Sequence, residues 1–135
     1  MALEISSALR KRLCDAAKST PDVEVCGLVL GTPDRITDLA ACANVAADPR
    51  RTFEVDPAAL FAALRAERGG GAPLLGYWHS HPSGDVRPSA TDAARAAADG
   101  KVWLIVAGDL VGGWRAVPAG EGTTTFEPVA LTVMG

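Results

Sequence analysis

The chain has 135 residues, 48% of them hydrophobic, which is enough for a single packed core without disulfides or a structural metal. Its 13 Lys and Arg against 16 Asp and Glu give a net charge of −3, which argues against a nucleic-acid partner because such proteins need a basic face. The three cysteines include no Cys-x-x-Cys pair, which excludes a zinc ribbon, and no apolar stretch is long enough to cross a bilayer.

The sequence of the first half of the chain predicts a helix, then strands, then a second helix. The N-terminal residues lack the basic region and apolar run of a signal peptide, which favours a cytoplasmic protein. Apolar residues at helical spacing predict an amphipathic helix over Ser6–Ser19, ending before Pro21. Turn residues on both sides delimit a buried strand over Glu24–Gly31. We further predict strands over Arg35–Ala46 and Thr52–Val55, then a helix to Arg68 that begins with Asp56 as N-cap and Pro57.

The second half predicts one helix between strands. A strand over Pro73–Trp78 leads into His79, a loop covers Pro82–Pro88, and an Ala-rich helix covers Ser89–Asp99. Three closing strands follow, predicted at Lys101–Ala107, Gly113–Pro118 and Thr124–Val133. Together the elements predict one domain over residues 1–135, of α/β or α+β class, with a mixed sheet flanked by helices.

The chain has only two histidines, His79 and His81, and they are two residues apart. On a strand, this spacing directs both side chains to one face, which is a suitable start for a zinc site. Taken alone, the pair is equally compatible with two polar residues on a strand face without a metal.

Ser89 and Asp92 form a second pair with two interpretations. Ser-x-x-Asp at a helix start is typical of a capping box, in which Ser89 is the N-cap. The same geometry also presents a carboxylate to the histidines. Two His and one Asp leave a fourth tetrahedral position open for water, as in catalytic rather than structural zinc sites.

These residues carry a specific resemblance. His79-Ser80-His81, followed after seven residues by Ser89 and after two more by Asp92, resembles the JAMM (MPN-plus, JAB domain) signature His-x-His-x7-Ser-x2-Asp. Glu24-Val25-Cys26-Gly27 is similar to the segment that carries the catalytic glutamate of this zinc metallopeptidase family. The compact length resembles the small bacterial-type members. The resemblance implies an MPN/JAB sandwich of the cytidine-deaminase-like kind.

The resemblance also implies a role for each matching residue. His79, His81 and Asp92 match the ligands of one catalytic Zn²⁺, Glu24 the general base, and Ser89 the hydroxyl that supports the oxyanion. Physical chemistry is consistent with these roles: zinc activates water and polarises a carbonyl, and a carboxylate moves the proton. Without this set, Glu24 would be interpreted as a solvated residue entering a strand.

Enzymes of this family use these residues to hydrolyse peptide or isopeptide bonds, often after the Gly-Gly tail of a ubiquitin-like or sulfur-carrier protein. The sequence does not choose among such substrates, between peptide and isopeptide bonds, or among oligomeric states. The alternative is a non-catalytic MPN-type interaction scaffold, which the presence of all five residues disfavours. A zinc deaminase would need His-x-Glu and Pro-Cys-x-x-Cys, which are absent.

Overall fold

The computed structural model describes residues 2–135 and shows eight strands and three helices. The strands are β1 (Ala2–Ser6), β2 (Cys26–Thr32), β3 (Arg35–Cys42), β4 (Leu74–Ser80), β5 (Val102–Ala107), β6 (Leu110–Gly120), β7 (Thr123–Pro128) and β8 (Ala130–Met134). The helices are α1 (Ser7–Ser19), α2 (Pro57–Arg68) and α3 (Ala90–Arg95).

All eight strands form one mixed sheet in the order β7-β6-β5-β4-β2-β3-β1-β8. The centre is antiparallel between β2 and β4 and parallel between β4 and β5. The two outermost strands, β7 and β8, are separated in the chain by Val129 alone, whose N–H donates to the Gly113 carbonyl. Because one residue joins opposite ends of the strand order, the sheet must curl back on itself.

Side-chain alternation along the strands divides the interior into two cores. Val29, Trp78 and Leu104 point to one face, where they pack with Leu13 and Ala17 of α1. Cys26 and Leu28 point to the opposite face, under Leu60 and Leu64 of α2. The predicted class, a mixed sheet flanked by helices, is therefore confirmed.

Helix limits follow local sequence signals. Ser6 accepts the N–H of Leu9 at the start of α1, and Asp56 accepts the N–H of Ala58 in front of Pro57 at the start of α2. The third helix ends at Arg95, earlier than the predicted Asp99, because Ala96 adopts an extended conformation.

One strand was not predicted, and several predicted strands have other limits in the structure. The N-terminal strand β1 was not expected; it pairs in parallel with β8, which the sequence does not reveal. The predicted strand over 124–133 is two strands, since the chain leaves β6 at Val129 and crosses to β1. The strand from Arg35 ends at Cys42, and the predicted strand over 52–55 is reduced to one bridge between Asn44 and Val55.

Candidate metal centre

The end of β4 places both histidines at one site. His79 is the penultimate residue of β4, and its neighbour in the adjacent strand β2 is Cys26. Strand pairing continues one residue beyond β4, since the His81 N–H donates to the Val106 carbonyl over 2.9 Å. This extended backbone keeps both imidazoles on the face occupied by α2 and α3, as the two-residue spacing predicts.

The helix start supplies the carboxylate. Ser89 is the N-cap of α3, and both hydrogen bonds of the capping box are present. The Asp92 N–H donates to Ser89 Oγ over 3.0 Å, and the Ser89 N–H donates to Asp92 Oδ2 over 3.0 Å. The cap and the contact with the histidines therefore coexist, because Asp92 Oδ2 serves both.

Three ligand-type atoms converge in this region. His79 Nε2 lies 3.0 Å from His81 Nε2 and 3.3 Å from Asp92 Oδ2, and His81 Nε2 lies 3.0 Å from Asp92 Oδ2. Ligand atoms about 2.0–2.1 Å from a tetrahedral zinc ion are about 3.3 Å from one another. The observed triangle therefore has the dimensions of one face of a zinc tetrahedron.

The protonation pattern of His81 also suits a cation. His81 Nδ1 lies 2.7 Å from the Asp85 carbonyl oxygen, which only accepts hydrogen bonds, so Nδ1 carries a proton. In neutral His81, the lone pair of Nε2 therefore faces the Asp92 carboxylate. A cation between these two acceptors removes their repulsion, and an outer contact of this kind is usual for metal-binding histidines. The donor set fits one zinc ion.

Aromatic packing fixes the other histidine. The Phe53 ring stacks on the His79 imidazole with centroids 4.2 Å apart, and the Trp103 ring meets its edge at 5.5 Å. His79 Nδ1 is buried and has no hydrogen-bond partner among residues 2–135. Orientation of His79 thus rests on packing, whereas orientation of His81 rests on a hydrogen bond.

Glu24 completes the cluster, although it precedes β2 by two residues rather than lying on the predicted strand. Its side chain is 4% exposed, and ligand atoms of Glu24, His79, His81 and Asp92 all lie within 4.8 Å of one another. Glu24 Oε1 is buried without a hydrogen-bond partner in the described chain. It is therefore free to accept a proton from a molecule held at the site.

The backbone around Glu24 is held from both sides. The Glu24 N–H donates to the Pro49 carbonyl over 2.7 Å, and Asn44 Nδ2 donates to the Glu24 carbonyl over 2.8 Å. The next residue, Val25, donates its N–H to Ser80 Oγ, and its carbonyl accepts the Ser80 N–H, each over 2.9 Å. Ser80, between the two histidines, therefore ties the Glu24 segment to β4.

Position 27, directly after Cys26, has room only for a glycine. A Cβ atom at Gly27 would lie 1.9 Å from the Ala40 carbonyl oxygen and 2.4 Å from Trp78 Nε1. Trp78 Nε1 donates to that same carbonyl over 3.3 Å, so no side chain fits at position 27. The sequence carries no signal for this contact or for the backbone contacts of Asn44 and Ser80.

Burial and neighbouring charges perturb the acids in opposite directions. Burial raises the Glu24 pKa to about 7; His81 lowers it in part, and Asp92 raises it. Burial also raises the Asp92 pKa, but the adjacent imidazoles of His79 and His81 outweigh it and hold that pKa well below its usual range. Asp92 is thus anionic at neutral pH, while Glu24 is close to its midpoint, which suits proton transfer.

Glu54 and the cysteines are not members of the Glu24-His79-His81-Asp92 cluster. Glu54 is exposed. Cys14 and Cys26 are buried, Cys42 is half-buried, and all three thiols are free. Burial raises the Cys26 pKa to about 12, so this thiol is protonated beside the site.

A buried His-His-Asp cluster with an adjacent unpartnered carboxylate has the donor set and geometry of a zinc hydrolase site. A family model described as prokaryotic homologs of the JAB domain matches residues 6–120. The chain belongs to this JAB/JAMM family.

Two relatives are named desampylase. The one from Haloferax volcanii is 38% identical over 111 residues, covering 81% of this chain and 80% of the relative. The one from Pyrococcus furiosus is 31% identical over 88 residues, covering 65% of this chain and 62% of the relative.

Solved structures agree on the fold. A Desulfitobacterium hafniense protein superposes with a TM-score of 0.76 at 22% identity, covering 98% of this chain and 94% of the other. A JAB1/MPN domain protein from Archaeoglobus fulgidus gives a TM-score of 0.59 at 22% identity, covering 97% and 98%. A structure of the JAMM metalloprotease-like zinc site gives 0.60 at 23% identity and full coverage of both chains.

No helix among residues 2–135 combines the length and apolar character needed to cross a membrane.

Proposed function

We propose that this zinc hydrolase cuts the bond that follows the C-terminal Gly-Gly tail of a ubiquitin-like or sulfur-carrier protein, as a peptidase or isopeptidase. His79, His81 and Asp92 would hold the zinc ion, Glu24 would act as general base, and Ser89 would donate to the oxyanion. Residues 1–135 would act as one domain. Membership of the JAB/JAMM family and the two relatives named desampylase support a protein-conjugate substrate.

The observation that carries the proposal is the unpartnered Glu24 carboxylate beside the triad. Zinc, when bound, lowers the pKa of water and polarises the scissile carbonyl. Glu24 would take a proton from the attacking water and deliver it to the leaving amine, the task of a general base that later acts as general acid. Both steps use the same carboxylate, which burial keeps away from bulk solvent.

Ser89 has the hydrogen needed for the oxyanion. Its Oγ accepts the Asp92 N–H, but the hydroxyl proton is not used in the capping box. Ser89 lines the same cavity as Glu24. It is therefore placed to donate to negative charge that develops on the carbonyl oxygen, a contribution of about 3–4 kcal/mol in other enzymes.

The test is mass spectrometry of Gly-Gly-ended ubiquitin-like and sulfur-carrier proteins with C-terminal extensions or conjugates. Each is incubated with zinc-loaded wild type and with Glu24→Gln. Cleavage after Gly-Gly by wild type alone is the expected result. Zinc binding without cleavage of any member would contradict the proposal and favour the MPN-type scaffold instead.

A further inference from the structure

The mouth of the metal centre is a cavity of about 250 Å³ with an unequal charge distribution. Glu24 and His81 line it beside the hydroxyl of Ser89. Arg50 and Arg51 line the same cavity, and Glu24 is the one acidic residue among its described lining. The protein as a whole is acidic, with a net charge of −3, so two arginines at this opening are a local feature.

The segment that carries the arginines is anchored to the Glu24 segment. Pro49, directly before Arg50, accepts the Glu24 N–H over 2.7 Å. Thr52, directly after Arg51, is buried, and its carbonyl accepts from the same Asn44 Nδ2 that binds the Glu24 carbonyl. The two arginines are therefore held between two fixed points beside the proposed base.

Both guanidinium groups are available to a ligand. Arg50 is exposed and has no ion-pair partner among residues 2–135. Arg51 has a single long contact of 3.8 Å with Asp48, and its side chain is 86% exposed. Neither group has a stabilising role in the fold that would account for its position.

The reaction places the leaving group on this side. The carboxylate that takes the proton from water also returns it to the leaving amine, so that amine must come within hydrogen-bond distance of Glu24. The atoms attached to the amine would then lie in the cavity that Glu24 shares with Arg50 and Arg51. A carboxylate on the leaving group would meet the arginines there, and it would otherwise face the negative charge of Glu24.

We propose that Arg50 and Arg51 select substrates whose leaving group carries a carboxylate next to the scissile bond. This inference rests on the proposed function. Two sources share the chemistry: the free α-carboxylate of a single residue that follows Gly-Gly, and the acidic side chain of the first residue beyond the bond. Arginine suits both because its planar donors bind carboxylates in pairs.

The test uses a Gly-Gly-ended carrier that wild type cuts in the mass-spectrometry experiment. Four C-terminal extensions of this carrier are compared, as two pairs that differ only in a carboxylate. One pair ends in Ala with a free carboxylate or an amide, and the other ends in Glu-amide or Gln-amide. Wild type should favour the carboxylate in at least one pair by about tenfold in kcat/KM, the size expected for hydrogen bonds to a charged group. In the double variant R50Q/R51Q, the ratio should fall to near one.

Arg68→Gln is the matched control, since Arg68 is an exposed arginine at the end of α2 that does not line the cavity. It should keep the wild-type ratio. Binding of the same pairs to zinc-loaded Glu24→Gln, measured by fluorescence anisotropy, should show the same preference without turnover. Adding R50Q/R51Q to that variant should remove it.

Two results would overturn the inference alone: a wild-type ratio near one in both pairs, or a preference that survives R50Q/R51Q. Absence of cleavage of every carrier would instead overturn the proposed function, and this inference with it. The pair that shows the preference identifies the source of the carboxylate.

Discussion

Replacing Glu24 with Gln should change how the stability of the zinc-free protein depends on pH. Burial raises the Glu24 pKa from 4.5 to about 7, so between these values the folded state binds a proton that the unfolded state releases. Stability from protonated Glu24 is fully present below pH 4.5 and is lost as the pH rises through 7. Gln is nearly isosteric, neutral at every pH and carries no such dependence.

The magnitude follows from the size of the shift. One pKa unit corresponds to about 1.4 kcal/mol, so the shift corresponds to about 3 kcal/mol of unfolding free energy. Glu24→Gln and wild type should therefore be similarly stable near pH 4.5, whereas the variant should be about 3 kcal/mol more stable at pH 8.5. For a chain of this size, that difference is about 10 °C in Tm.

The assay is denaturant and thermal unfolding of chelator-treated wild type and Glu24→Gln across this pH range. The difference between the two proteins reports the ionisation of Glu24 together with its coupling to His81, because the two groups shift each other's pKa. A difference that stays constant with pH would refute the argument that burial raises this pKa. Added zinc should favour ionised Glu24 and stabilise wild type more than the variant at pH 8.5.

Three further substitutions separate the roles at the site. Ser89→Ala should lower kcat about 10²–10³-fold, retain zinc and lose about 1 kcal/mol of capping; wild-type activity would contradict the oxyanion role. Asp92→Ala should weaken zinc affinity, measured by competition with a chelator, and unchanged affinity would remove Asp92 from the ligand set. Asn44→Ala removes a side chain that holds the Glu24 backbone and contacts none of the proposed zinc ligands. The variant should lose about 2–3 kcal/mol of stability and have a lower kcat, while its zinc affinity stays near wild type. A loss of zinc affinity as large as the loss of kcat would contradict this positioning role.

Most elements follow from local sequence. The starts of α2 and α3 lie where Asp56 and Ser89 predict them, because a cap satisfies backbone donors within the next three residues. The first helix begins one residue after the predicted Ser6, which is its N-cap. Central strands follow from short apolar runs. The pairing of β1 with β8 was not predictable, because it joins the two ends of the chain and depends on the curl of the whole sheet.

The candidate site likewise combines local features that the sequence predicts with long-range contacts that it does not predict. The spacing of His79 and His81 and the cap at Ser89 are local, and the structure brings these residues together with Asp92 as expected. Their catalytic and ligand roles stay predictions. The contacts that hold the cluster come from distant segments: Phe53 stacks on His79, Asn44 holds Glu24, and the Asp85 carbonyl binds His81. None of these has a sequence signature.

The sequence by itself determined the family, the fold class and the composition of the candidate site, because alternation, capping and motif spacing act over a few residues. Only the tertiary structure decided that Glu24 is buried with a free oxygen beside the triad, and that Arg50 and Arg51 lie at the opening. Both depend on hydrogen bonds that join segments far apart in the chain. Such contacts form only after the sheet has brought those segments together, so local sequence patterns do not predict them.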